Sequence, residues 1–71
     1  MTDTARLRAC IEKKGFKLKF VAKVLGLSPY TLSMKIENDS EFKVSEVDAL
    51  AELLDLSLIE KDEIFFVIKL N

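Results

Sequence analysis

Apolar positions recur along this chain at helical spacing in short, separate stretches. Between Thr4 and Lys14, the residues Leu7, Cys10, Ile11 and Lys14 fall at i, i+3, i+4 and i+7, an apolar stripe with a charged end. Asp3 or Thr4 is suited to cap this helix, and Gly15 suits the left-handed residue beyond it. A second helix is predicted from Leu18 to Leu25, with Val21, Ala22 and Leu25 facing inward and Gly26 closing it. Phe16, in the preceding turn, is expected to pack beneath it. A third opens at Ser28-Pro29, serine as N-cap and proline at the first helical position, where no amide donor is needed. Leu32 and Ile36 face inward, and the helix is expected to end near Glu37 or Asn38, before the polar loop Asn38-Asp39-Ser40-Glu41.

The fourth pattern, Val47, Leu50, Ala51 and Leu54, predicts a helix beginning at Ser45. Ser45-Glu46-Val47-Asp48 has capping-box spacing, and Val44 is placed to act as a staple. Asp55-Leu56-Ser57 breaks the period, and a short fifth helix is expected from Leu58 or Ile59 to about Phe65. The tail, Phe66 to Asn71, is rich in β-branched and aromatic residues and reads either as a short C-terminal β-strand or as irregular chain capping the core. A strand there needs a partner, for which the same strand of a second copy, in a homodimer, is the candidate. The expected fold is all-α, a compact five-helix bundle, with residues 1–71 as one domain.

A chain of 71 residues buries little apolar surface, and no staple compensates. One cysteine, Cys10, forms no internal disulfide, and without histidine there is no Cys/His metal site. Cys10 reads as a small buried apolar residue. Catalysis finds no support: the cysteine has no base to activate it, and no glycine-rich phosphate loop is present. Neither a cofactor nor a small-molecule substrate is expected. Met1-Thr2-Asp3-Thr4 lacks the basic flank and apolar stretch of a signal peptide, and the longest apolar run is Ile64 to Ile68, so no membrane association is expected.

Net charge is −1, but the average conceals a division. Residues 1–35 carry eight cations (Arg6, Arg8, Lys13, Lys14, Lys17, Lys19, Lys23 and Lys35) against two anions, whereas residues 36–71 carry three cations against ten acids. Such a division points either to a basic face for an anionic partner or to charges scattered over a solvated surface.

Two short helices joined by a glycine turn form the helix-turn-helix pattern, here at about residues 18–36. Ala22 is small where the third helix crosses the second, and Gly26 permits the positive φ of the turn. Val21-Ala22-Lys23-Val24-Leu25-Gly26-Leu27-Ser28, followed by Thr31-Leu32-Ser33, resembles the Cro/C1-type helix-turn-helix family. Phe42-x-x-Ser45-Glu46-Val47 and Glu63-Ile64-Phe65-Phe66 look like the small regulators of temperate phages of low-GC Gram-positive bacteria. The resemblance spans roughly residues 5–66. It implies a five-helix domain bound to double-stranded DNA in a lysis–lysogeny switch, usually as a dimer, and with no targeting or membrane segment read in the sequence the expected place is the cytoplasm of a bacterial host cell.

By position, the resemblance puts Ser28, Pro29, Tyr30, Ser33 and Met34 on the outer face of the recognition helix, in the major groove. It puts Lys17, Lys19, Lys23, Thr31 and Lys35 on DNA phosphates, which supply affinity without sequence information. Two departures stand out. The reading face has no Arg, Lys, Asn or Gln at its centre to bond base edges in pairs. The second helix has Leu18 where the family commonly has glutamine, and Phe20 where it is usually polar. Leu18, Phe20 and Val24, beside Tyr30 and Met34, therefore form a candidate patch for a protein partner. The alternative function is an antirepressor that masks the DNA-reading surface of a phage repressor protein.

Overall fold

A computed structural model describes residues 1–68. Five helices follow in order: α1 (Thr4–Lys13), α2 (Leu18–Leu25), α3 (Pro29–Ile36), α4 (Val44–Leu53) and α5 (Leu58–Phe65). Each takes its ends from local chemistry. The Asp3 carboxylate accepts from the Arg6 N–H at the start of α1, and Ser28 Oγ accepts from the Thr31 N–H at the start of α3. At α5, Ser57 Oγ accepts from the Glu60 N–H while the Glu60 carboxylate accepts from the Ser57 N–H, a full capping box. Gly15 and Gly26 end α1 and α2 at φ of 75° and 71°.

Burial follows the helical periods. Leu7, Ile11, Val21, Ala22, Leu32, Ile36, Val47, Leu50, Leu54, Ile64 and Phe65 form one continuous core. In it α2 packs on α3 and α4, α1 on α3 and α5, and α4 on α5. Phe42, in the α3–α4 loop, meets Phe65 edge to face with ring centroids 5.6 Å apart. Cys10 is half-buried at the margin of this core, less enclosed than the sequence suggested.

Thr2, Asp3 and Thr4, at the start of α1, tie two helix ends together. The Thr2 N–H donates to Asn38 Oδ1 at 2.8 Å, and Asn38 Nδ2 returns a bond to the Thr2 carbonyl at 2.9 Å. Thr4 Oγ1 donates to the carbonyl of Ile36, the last residue of α3, and the Asp3 N–H to the carbonyl of Ile64 in α5. Asn38 sits at φ 67°, a left-handed conformation that asparagine tolerates better than most residues.

Two expectations are corrected. Helix α4 begins at Val44 with Lys43 as N-cap, not at Ser45. The Lys43 N–H is satisfied by the Glu46 carboxylate at 2.8 Å, which moves the start of the helix toward the N-terminus. Val44 consequently lies 74% exposed and staples nothing. In the tail, Phe66 to Ile68 are irregular chain and not a strand, with the Val67 N–H bonded to the Met1 carbonyl. The remainder of the expected strand, residues 69–71, lies outside the described residues. Among the described residues no helix is long and apolar enough to cross a membrane.

Candidate nucleic-acid interface

The turn between α2 and α3 is built from three residues. Gly26 takes the left-handed conformation, the Leu27 N–H returns to the Ala22 carbonyl at 2.8 Å, and Ser28 starts the next helix. Ala22 is fully buried on α2, which packs on α3 and α4, so a larger side chain there has no free space to fill. Leu32 and Ile36, also fully buried, hold α3 by its inner face.

The outer face of α3 is turned outward at its start. Ser28, Pro29 and Tyr30 are exposed, Tyr30 to 73%, and Ser33 and Met34 are half-buried. Thr31 is also half-buried. Its Oγ1 accepts from the Ser28 hydroxyl at 2.9 Å, which leaves its own hydroxyl proton available to an acceptor outside the protein. Pro29 has no N–H and the Thr31 N–H is spent on Ser28, so the Tyr30 N–H is the free donor of this first turn.

Helix α2 presents a different surface. Its N-cap, Lys17, makes no side-chain bond, and its first turn holds no acid. The partial positive charge of this helix end therefore adds to Lys17 and Lys19 instead of being offset. Lys23 follows one turn beyond Lys19. All three are exposed and make no ion pair with another described residue.

The division of charge seen along the sequence is largely cancelled inside the fold. Arg6 pairs with Glu63, Arg8 with Glu37, Lys14 with Asp55, and Lys35 with Glu46. Acids of the second half thus neutralise half of the cations of the first. Those left over, Lys13, Lys17, Lys19 and Lys23, run from the end of α1 into α2.

Lys35 is the residue that the sequence reading misplaced. It is only 7% exposed, and its Nζ lies 2.5 Å from the carboxylate of Glu46, itself 7% exposed. It therefore joins α3 to α4 and is not available to a phosphate. The signal was present in the pattern: Leu32, Lys35 and Ile36 fall at i, i+3 and i+4, so Lys35 belongs to the inner stripe. Glu46 was missed as its partner. Burial pushes the Glu46 carboxyl up, but the Lys35 ammonium and the Lys43 N–H outweigh it and hold the group below the ordinary glutamate range.

The proposed apolar patch is also revised. Phe20 and Val24 are 45% and 46% exposed, but Leu18 is half-buried against the core and does not belong with them. Its place at the first helical position turns it toward α1, near Ile11 and Phe16.

A glycine-turned helix pair, with an outward second helix and unneutralised lysines on the first, defines a DNA-binding helix-turn-helix domain. A family model described as helix-turn-helix matches residues 7–61, and the chain belongs to that family, of the Cro/C1 type. The family is one of DNA-binding transcription regulators. No curated protein and no solved structure matches the chain.

Proposed function

We propose that the chain is a phage-type transcription regulator that binds operator DNA in a lysis–lysogeny switch. In this reading α3 enters the major groove with Ser28, Pro29, Tyr30, Ser33 and Met34, while Lys17, Lys19, Lys23 and the Thr31 hydroxyl hold phosphates. The observation that carries it is the selective neutralisation of cations. Internal pairing removes four of the eight and leaves the lysines that flank the uncapped start of α2. A phage setting is supported by the resemblance of the segments around Phe42 and Glu63 to small temperate-phage regulators.

Fluorescence anisotropy of a labelled duplex from the gene's upstream region, at several salt concentrations, tests this reading. Three phosphate-bound lysines give a slope of log K against log salt of about −2.7 per protomer. Replacing Lys17, Lys19 or Lys23 singly by alanine is expected to reduce that slope by about 0.9 each, with affinity lost about equally on all sequences. Absence of binding even at low salt refutes the reading.

One observation favours a second reading, the antirepressor. Val24 and Tyr30 expose apolar surface on the helix-turn-helix, and the reading face carries no guanidinium or amide for base edges. In that reading the same surface covers the DNA-reading face of a phage repressor. Repressor released from its operator by this chain, with no duplex bound by this chain alone, is the result that selects it.

A further inference from the structure

The lysines of α2 frame a groove whose floor the phosphate reading leaves unused. Phe16 and Phe20 meet with ring centroids 5.1 Å apart and planes tilted by 40°. With Gly15, Lys17, Lys19 and Lys23 they line a shallow groove of about 480 Å³. Phosphates gain nothing from aromatic rings, and a half-exposed phenylalanine between lysines suits an apolar side chain beside a carboxylate.

The same chain carries that complement. Helix α5 opens with Leu58 and Ile59, 80% and 72% exposed. Asp62 lies four residues after Leu58, so its carboxylate adjoins the apolar side chains on the helix surface, whereas Glu63, four after Ile59, is paired with Arg6. Asp62 makes no ion pair with another described residue. Helix α5 packs on α1 and α4 and leaves this ridge outward.

We propose that the groove of Phe16 and Phe20 receives the Leu58–Ile59 ridge of a second copy of this chain, with the Asp62 carboxylate against the groove's lysines. The contact is head to tail, joining two different surfaces. It is small, at the transient end of protein interfaces, below about 1,200 Å². Because it covers Lys17, Lys19 and Lys23, self-association and DNA compete for one surface, a consequence that rests on the DNA-binding reading above. Duplex then frees the copies from one another, and unbound protein at high concentration screens its own basic face.

Sedimentation velocity of the full chain between about 20 μM and about 1 mM, at low and high salt, reads the contact without DNA. The expected result is a weight-average mass that rises with concentration and falls back as salt is added. Lys23→Glu and Asp62→Lys each stay monomeric, and an equimolar mixture of the two regains the rise, because each altered surface then meets its altered complement. Both positions are exposed, and circular-dichroism melts check that the variants fold. Ile59→Ser changes no charge; it abolishes the rise and leaves the affinity for duplex at dilute protein unchanged. A wild-type chain that self-associates as described but ignores DNA sinks the DNA reading and leaves the contact standing. A constant mass at every concentration, a rise indifferent to both charge reversals, or a mixture that stays monomeric overturns the proposal.

Discussion

Replacing Glu46 by alanine removes two supports at once. The carboxylate neutralises the buried Lys35 ammonium, and it accepts the Lys43 N–H that starts α4. Breaking a buried ion pair from one side costs about 3–5 kcal/mol, because the remaining charge stays out of water without a partner. Loss of the acceptor at the helix start adds about 1 kcal/mol. A chain of this length has about 4–10 kcal/mol in all, so Glu46→Ala is expected to consume most of its stability. In urea, where a small protein loses about 1 kcal/mol per molar, the midpoint should fall by about 4–6 M. The paired replacement Lys35→Met with Glu46→Gln separates the causes. It keeps an oxygen for the Lys43 N–H and leaves no buried charge, so it should return to within about 1.5 kcal/mol of wild type. It should also keep the salt slope of DNA binding, since Lys35 is enclosed and holds no phosphate. The folded carboxyl of Glu46 titrates below its unfolded value, so its contribution is fully present above about pH 4.3 and declines as pH falls through the folded value. Acid melts of the paired variant should lack that part of the decline. A Glu46→Ala chain within about 0.5 kcal/mol of wild type would refute the reasoning.

Leu32 is fully buried in the core, so Leu32→Ala should cost about 2–5 kcal/mol, and a near-wild-type thermal melt would contradict the packing. A Cβ at Gly26 meets no atom within 4 Å, so Gly26→Ala should cost only the left-handed conformation, about 1–2 kcal/mol by urea denaturation, and a loss beyond that range would point to a steric clash. Asn38→Ala removes both bonds to Thr2 and should cost about 2 kcal/mol, with faster amide exchange at the Thr2 N–H and at the C-terminal end of α3. Unchanged exchange there would mean that the ties at Asn38 do not hold the helix end.

Helices α1, α2 and α3 were legible because they carry their own punctuation, Asp3 and Ser28 at starts and Gly15 and Gly26 at ends, while Ser57, read only as part of a break, caps α5. Helix α4 was displaced in the sequence reading because its true cap is a backbone N–H served by a carboxylate that Lys35, from another helix, holds in place. Ser45 offers the better local cap, and a long-range pair overrides it. Lys35 was assigned to DNA because a lysine near a recognition helix reads as a phosphate contact, although its register already turned it inward. Leu18 was grouped with Phe20 and Val24 by its neighbours in sequence, but its position at the helix start turns it toward α1. The ties from Thr2, Asp3 and Thr4 to α3 and α5 had no signal in periodicity, since they run from the start of the chain to carbonyls and one asparagine.

The internal cancellation of charge has a kinetic consequence. With a net charge of −1, the molecule as a whole gains little by approaching a polyanion. What the field of DNA finds is an asymmetry, lysines around α2 at one side and surplus acids such as Asp39, Glu41, Glu52 and Asp62 elsewhere. That field exerts a torque more than a pull, turning the lysine side toward the duplex before contact. Encounters would then be infrequent but well oriented, and added salt would slow arrival by blurring the orientation.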